Sequence, residues 1–592
     1  MNRRFFLKGV ATALPLASSM NVPVSFGSTD SRFELTHFSI PSAGRCGFYV
    51  DYSELDDVGV HKFYVARTHG CNGEVSVEYR SYGDPHTNVN GILRWADGDC
   101  GIKEITVPVI SKQNGEHRIY LALSSPQGGL DLHMGDYTIA YGVIDDGTVS
   151  DSGIFYDSDA PDGGDGSMSK PFNNIYVALQ NVDGNKFLYG RGVTIPDGTN
   201  TANPNGGGGI VNCINFPDSR SGEEDRLYIR NWPGHEWRVS GGSNNDIGFY
   251  SDGGRSFITF KGIRFSSLKA WPGVSGKYSE GGGISNFKSS AESINVENCE
   301  FIDIDGSTNT AGFNPYLISG SKVWKCIFDT IAVNGNTSNL NSSGVLTYSG
   351  KYISVQRSEF KNCHSGVYQK RVSQVGDVSP SVRFNVFNSE VGLLLGTAGG
   401  GNSHSYSIAQ SNAFVECKVG IDHNNTFQTD QVQGLHWWTN NVFDRCGGGE
   451  IAAVTFKYAF EVVLYNNIML DCRKVWAEVK DCSSISPVGV RYANFNHEFG
   501  TTLKSQTYEW RSINFSSANA AFDATGLARD DSTGDPIFKD PAAGDYRLGT
   551  LSPCIGSGLS GSDKGIFLTG VEQLGVSDSS SRPMFPPNFG AS

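Results

Sequence analysis

Eight short segments of this chain share one pattern, and that repetition limits the possible folds more than any other feature. Each has an apolar residue, two variable positions, a small or amide residue, one variable position, then Phe or Met. They are Phe260–Phe265, Val296–Phe301, Val323–Phe328, Val355–Phe360, Val382–Phe387, Ala409–Phe414, Trp438–Phe443 and Leu464–Met469, the first with Ile263 in the small-or-amide slot. The closing residue recurs at steps of 36, 27, 32, 27, 27, 29 and 26. Self-similarity at such a step marks one supersecondary unit stacked many times.

The pattern predicts a coil of short parallel strands, each turn lying on the last at the ~4.8 Å spacing of sheet neighbours. Equivalent residues then form columns. One is Cys299, Cys326, Ser358, Asn385, Asn412, Asn441 and Asn467, where amides can bond along the stack and satisfy turn backbone. A second is the Phe/Met series. A third holds Cys363, Glu390, Cys417, Cys446 and Cys472. Buried thiols are the reading for its cysteines, since no CxxC pair or HExxH string supports zinc. Leu is not periodic, which excludes leucine-rich repeats, and propeller blades need about 40 residues. The fold class expected is all-β: a right-handed parallel β-helix over 152–570, with a C-terminal tail at 571–592.

Both ends of the coil agree. Residues 155–179, FYDSDAPDGGDGSMSKPFNNIYVAL, resemble the opening of pectin-lyase-like β-helix domains: a DG-rich loop, KPF, then an amphipathic cap. Residues 535–567 resemble their closing segment, which recurs in chondroitinase-B-like polysaccharide lyases. The resemblance is one of architecture, and one fold hosts many reactions.

Before the coil, residues 30–148 alternate apolar and polar with turn signals every 8–12 residues, as a β-sandwich does. FYVARTHGCNGEVSVEYRS (63–81), ITVPVI (105–110), RIYLALSSPQGG (118–129) and YTIAYGVIDDG (137–147) resemble a Calx-β domain. That resemblance implies calcium at the closing acidic pair, Asp145 and Asp146, although the other acidic motifs are degraded. The plainer reading is a spacer or docking module. Cys71 and Cys100 could pair, leaving Cys46, but connectivity is not legible in sequence. Asp84-Pro85-His86 is half of a motif seen in alginate epimerases, without the following Asp and in the wrong domain.

Residues 1–28 carry Arg3, Arg4 and Lys8, then a short apolar run and small residues near Ala17-Ser18-Ser19. This resembles a twin-arginine signal, and an ordinary signal with two chance arginines would also give export, to the periplasm or outside the cell. No apolar run reaches the ~18–20 residues of a membrane helix. The formal net charge is -14, and loss of Arg3, Arg4 and Lys8 would take it near -17. That argues against nucleic acid or anionic lipid as partners. A polyanionic glycan requires a locally basic cleft. A monomer is expected.

A β-helix builds its site on the outer face of one sheet. Alternation puts Val367 inward and Tyr368 and Lys370 outward, with Tyr348 one rung below and Asp422 and Asn424 two rungs above, about 10 Å away. His364, Arg371, Arg383, His404 and His423 lie nearby in the coil. A lyase acting on a uronic acid must neutralise the C6 carboxylate, remove the C5 proton and protonate the leaving oxygen. Lys370 is the expected base, because Arg371 beside it disfavours the protonated amine. Arg383 is expected to grip the carboxylate as a fork. Tyr368 and His423 complete the expected catalytic set, with Tyr348, Asn424, His404 and Trp437 as substrate contacts. The chondroitinase-B resemblance likewise implies a Lys base with an Arg partner. It also implies calcium, for which Asp422 and Glu390 are the candidates in the coil. No organic cofactor is expected.

The function expected is therefore an exported polysaccharide lyase acting on an acidic polysaccharide. A non-catalytic glycan-binding or surface protein is the alternative. A hydrolase is a third, but it needs paired carboxylates roughly 6.5–9.5 Å apart, which do not appear mid-stack.

Overall fold

In a computed structural model of the protein, the described residues are 43–576 except 51, 55–58, 69, 84–87, 110–115, 133–137, 146, 151–152, 201–210, 243–245, 252–254, 271–280, 287–291, 308, 316–317, 349, 372–376, 398–404, 426–434, 449–450, 458–460, 479–489, 501–506, 511–512, 526 and 568–571. The leader, the Asp84-Pro85-His86 string, Asp146, His404 and the tail beyond 576 fall outside them.

The alternating region forms two mostly antiparallel sheets. One orders strands 102–109, 59–68, 45–48 and 131–132, the other 52–54, 139–145, 116–127, 75–83 and 90–95. Their inward residues, among them Phe48, Phe63, Val65, Val77, Trp95, Val107 and Leu121, make one apolar core. Cys71 and Cys100 form a disulfide, and Cys46 is free and buried.

From Ile154 onward the chain is a parallel β-helix. Its first turn is capped by the helix Ile175–Gln180, whose Ile175, Ala178 and Leu179 face the coil interior. Asn174 caps that helix, its Oδ1 accepting from Tyr176 N at 2.9 Å and Val177 N at 3.2 Å. Each later rung supplies three strands. In one rung these are Ser354–Gln356, Glu359–Lys361 and Ser365–Arg371, and in the next Asp377–Arg383, Val386–Asn388 and Val391–Thr397. We call the corresponding parallel stacks the first, second and third sheets.

The repeat pattern spans the corner between first and second sheets. Its closing Phe residues stack face to face: Phe360, Phe387 and Phe414 lie with ring centroids 4.9 Å apart, and the series runs from Phe265 to Phe443. The rings lie against third-sheet glycines. A Cβ on Gly366 would fall 2.4 Å from a Phe387 ring carbon, so the ring column requires a glycine column beside it.

The corner residue before each amide sits in the left-handed region, Phe384 at φ 60° and Asn440 at 58°, which turns the chain in one step. The amides make the expected ladder. Asn385 N and Nδ2 both donate to Asn412 Oδ1 at 3.1 Å, and Asn385 Nδ2 also donates to Val355 O at 2.8 Å. Asn412, Asn441 and Asn467 repeat this, and the ladder continues to Asn496, whose N–H donates to Asp531 Oδ1 at 2.8 Å. Toward the other end, the thiols of Cys299 and Cys326 take over, donating to Phe260 O and Val296 O of the rung before. The second thiol column behaves alike: Cys417, Cys446 and Cys472 donate to Phe387 O, Phe414 O and Phe443 O, but Ser389 and not Glu390 stands between Cys363 and Cys417, because Val391 pairs with Ser365 and Val419. All the thiols are free and buried.

Among the described residues, the sandwich and the C-terminal segment cover the first and second sheets. The sandwich lies on the first sheet through a buried ion network. Glu116 meets Arg118 at 2.8 Å, Arg230 at 2.9 Å and Lys261 at 2.6 Å. Asp145 meets Lys261 at 2.8 Å and Arg230 at 3.0 Å, and Arg118 meets Glu297 at 3.1 Å. Three carboxylates thus balance three cations, which is what makes burying them tolerable. Farther along, Trp324 packs on Tyr141 and Val143, and Tyr49 packs edge-on to Phe384. The C-terminal segment covers the second sheet. Tyr546, Cys554 and Ile566 pack on Val386, Ala413, Val442 and Ile468, and Tyr546 OH donates to Asp444 Oδ2 at 2.7 Å. The segment reaches the junction of all three parts, with Gly575 N donating to Phe384 O at 2.8 Å and Glu572 accepting from Tyr49 OH at 3.3 Å.

Candidate functional site

Among the described residues, the contacts of the sandwich and of the C-terminal segment fall on the first and second sheets, and the outer face of the third sheet carries neither. Strand alternation is interrupted there. Gly366 and Val367 both face the core, as do Gly344 and Val345 one rung earlier. Two successive inward residues bend the strand, and the bend makes the outer face concave. Lys370 measures the concavity. Its Nζ donates to Asn341 Oδ1 at 2.9 Å and to Asn309 Oδ1 at 2.5 Å. Asn341 aligns with the residues just before Ser365, because Ser343 pairs with Ser365. On a straight strand, seven residues would separate those positions by about 23 Å, far beyond a lysine's reach.

The bend is filled by a buried apolar cluster. Leu346, Tyr368 and Leu394, outward on three successive rungs, pack against Ala311, Val391 and Val419 on the other side of the bend. Burial raises the Tyr368 phenol to about 12, so it stays protonated at neutral pH. Polar groups line the rims. One rim has Lys370 and half-buried Tyr348. The other has Asn309 and Asn341, then His364, Glu390 and Lys418 in one column of successive rungs. Burial lowers the His364 pKa, which Glu390 opposes and Lys418 assists, and its Nδ1 lies 2.9 Å from Ser365 Oγ. Asp422 continues the floor column after Leu394 and accepts from Thr455 Oγ1 at 2.7 Å.

The structure therefore brings together Lys370, Tyr368, Tyr348, Glu390 and Asp422 on one face. The strand backbone carries Arg371 and Asn424 there too. Tyr348 pairs with Arg371 rather than Lys370, because the register shifts between Thr347 and Tyr348.

Four expectations are corrected. Arg383 is not a groove residue: it lies on the first sheet, 1% exposed, and donates from Nη1 to Phe48 O of the sandwich at 2.9 Å. Trp437 is also on the first sheet, fully buried and edge-on to Tyr465, so it offers no rim to a sugar. His423 points into the coil, where its ring lies 4.8 Å from His436; it follows inward Ile421 by two residues, which alternation alone would have shown. Asp145 is occupied by Lys261 and Arg230 and is not open to calcium. Among the described residues, no three His, Cys, Asp or Glu side chains gather as a metal's ligands, and no helix is long and apolar enough to cross a membrane.

Asn309, Asn341 and Lys418 were missed. Each lies at the start of a third-sheet strand, across the bend from Lys370, and the signal for them was the Gly-apolar doublet that follows and marks the bend.

Comparison with known proteins adds little to this geometry. No protein-family model matches the chain, and no curated protein does. Among solved structures, the apo form of the Calx CBD1 domain matches at 20% identity over 17% of this chain and 94% of its own, with a TM-score of 0.16. CBD12 from CALX1.2 matches at 20% identity over 19% of this chain and 50% of its own, also at 0.16. The calcium binding domain CBD12 of CALX1.1 matches at 20% identity, covering 19% and 52%, at the same score.

Proposed function

We propose that this protein is exported and acts on an acidic polysaccharide lying along the third-sheet groove, cleaving it by β-elimination. The observation that carries the reading is Lys370. It is a cation spanning the bend of the third sheet in a chain whose formal net charge is -14. A local cation in an acidic protein selects an anionic ligand at that place. The half-buried groups along the rims, Tyr348, His364 and Glu390 among them, supply polar contacts.

In the reaction, the C5–H bond breaks and its electron pair forms C4=C5. The C4–O4 bond then breaks, and O4 takes a proton. His364, kept neutral by burial, is suited to accept the first proton, and the Tyr348 phenol to supply the second. Arg383 and His423 take no part, since one is held by the sandwich and the other is inside the coil.

Incubation with alginate, polygalacturonate and glycosaminoglycans tests the reading. A rise in absorbance near 235 nm, lost in Lys370→Ala with the β-rich circular dichroism intact, is the expected result. A second reading, binding without cleavage, is favoured by one fact: the two amide acceptors leave Lys370 poorly suited as a base. Retention on a glycan column with no absorbance change and no new reducing ends would establish it. Reducing ends without absorbance would mean hydrolysis.

A further inference from the structure

The outward column of the second sheet changes character at its end. Val386, Ala413, Val442 and Ile468 are apolar and lie under the C-terminal segment, and the next two rungs carry His497 and Ser532. The same segment brings Lys564 to them. Ser532 Oγ lies 2.8 Å from His497 Nδ1 and accepts from Lys564 Nζ at 2.8 Å, while Nζ also donates to Asn496 O at 3.3 Å. His497 Nε2 lies 2.8 Å from Gly534 O.

A carbonyl oxygen only accepts, so Nε2 carries the proton of the neutral ring and Nδ1 carries the lone pair. The Ser532 hydroxyl therefore donates to Nδ1 and accepts from Lys564. Burial lowers the His497 pKa, which the bond to Gly534 opposes and Lys564 assists, so the ring is held in its basic form. His497 and Lys564 are buried, whereas Ser532 is half-buried and Thr533 beside it is exposed. Of the three side chains, the hydroxyl is the one that reaches the surface. The ground next to it is open. Among the described residues, a Cβ on Gly534 would meet nothing within 4 Å, and Phe499, on the same strand as His497, is an exposed aromatic.

We infer that Ser532 is a nucleophile for acyl transfer, with His497 as its general base and Lys564 stabilising the charge that develops on Oγ, and that its substrate is a carboxylic ester. The Oγ–H proton passes to Nδ1 as Oγ bonds to the acyl carbon. The bond from that carbon to the alcohol oxygen breaks, and the alcohol leaves with the proton from Nδ1. Water then attacks the acyl-serine, giving a proton to Nδ1 that returns to Oγ, and a carboxylic acid is released. The class follows from the base. A neutral carbonyl orients the ring where a carboxylate would stabilise the imidazolium more, so the set suits a leaving alcohol better than an amine. Phe499 offers the apolar part of the ester a contact. None of these groups belongs to the third sheet, so the inference stands apart from the glycan reading.

Two measurements on the full chain test it. The first is reaction with a fluorophosphonate, which phosphonylates activated serines, followed by mass spectrometry. Label is expected on Ser532, and its rate should fall as the pH is lowered and the base is protonated. The second is hydrolysis of p-nitrophenyl acetate, with an acetyl adduct on Ser532 as intermediate. Ser532→Ala should fall to the uncatalysed rate, and His497→Gln should lose at least about a hundredfold, as for loss of a general base. Absence of label from Ser532 would overturn the inference. So would a Ser532→Ala protein that hydrolyses the ester as fast as the wild type. The labelling uses no variant, so it decides the matter even where a substitution disturbs the end of the coil.

Discussion

At the scale of residues, buried polar groups carry the specificity of this coil. Asn412 shows it best. Its Oδ1 accepts from Asn385 N and Nδ2, and its Nδ2 donates to Val382 O at 3.0 Å and Asn441 Oδ1 at 3.0 Å. Asn412→Leu fills the space but leaves the Asn385 N–H and the Val382 carbonyl without partners. Each costs about 1–3 kcal/mol, so we expect a loss of about 3 kcal/mol or more, read from urea denaturation. Asn412→Asp should be no milder, because its second carboxyl oxygen would face the Val382 carbonyl and Asn441 Oδ1, which only accept.

A second residue couples stability to pH. Glu359 is outward on the second sheet but buried beneath the C-terminal segment. Burial raises it to about 8, against a Val576 N–H bond and nearby Lys361 that lower it. Asp531, at the end of the amide ladder, is raised to about 7, again by burial first. Between the ordinary carboxyl range and these values, the folded state holds protons that the unfolded chain has released. Stability from these two groups therefore falls as pH rises from about 4.5 toward 8. Denaturation midpoints measured at pH 5 and pH 8 should differ in that direction, and Glu359→Gln should flatten the difference.

At the scale of elements, the unit is a ring column matched to a glycine column. Gly366→Ala puts a methyl 2.4 Å from the Phe387 ring carbon, so ring or strand must shift. Phe387→Ala opens a cavity in a fully buried stack and should cost about 3–5 kcal/mol. The two sites are in contact, so their effects should not add. Gly366→Ala is expected to cost clearly less in a Phe387→Leu background than in the wild type. Additive effects in that double-mutant cycle would mean that the glycine is there for the strand bend alone.

At the scale of the whole molecule, docking of the sandwich decides which face of the coil is covered by it. The sandwich is fixed by an ion network whose groups are nearly all buried. Although burial alone would raise Glu116, the cations of Lys261, Arg118 and Arg230 hold its carboxyl well below the usual range. Lys261→Met removes one of three balancing charges. Breaking such a network typically costs about 3–5 kcal/mol, and the expected consequence is a sandwich released from the coil. Limited proteolysis should then cut between the two before the coil unfolds. A wild-type digestion pattern would show that the aromatic contacts at Trp324 and Tyr49 suffice.

The repeat, the ring stack, the amide ladder and the buried thiols were legible in the sequence. Each is a periodic property of the inward side, where burial dictates residue type and every rung repeats the demand. The candidate site was legible only in part. Lys370, Tyr348, Tyr368 and Asp422 followed from alternation, but Arg383 and Trp437 read the same way and lie on another face. An outward Arg beneath a docked domain and an outward Lys across a bend are identical in a one-dimensional pattern. What separates them is contact between residues far apart in the chain: strands 116–127 and 139–145 against rungs at 230–297, and the segment from Phe538 to Gly575 against the second sheet. The bend at Gly366 was equally hidden, since its effect is to bring Asn309 and Asn341 across to Lys370. The sequence by itself determined what the coil buries. Only the tertiary structure decided which faces the sandwich and the C-terminal segment cover, because that is settled by long-range docking and not by local period.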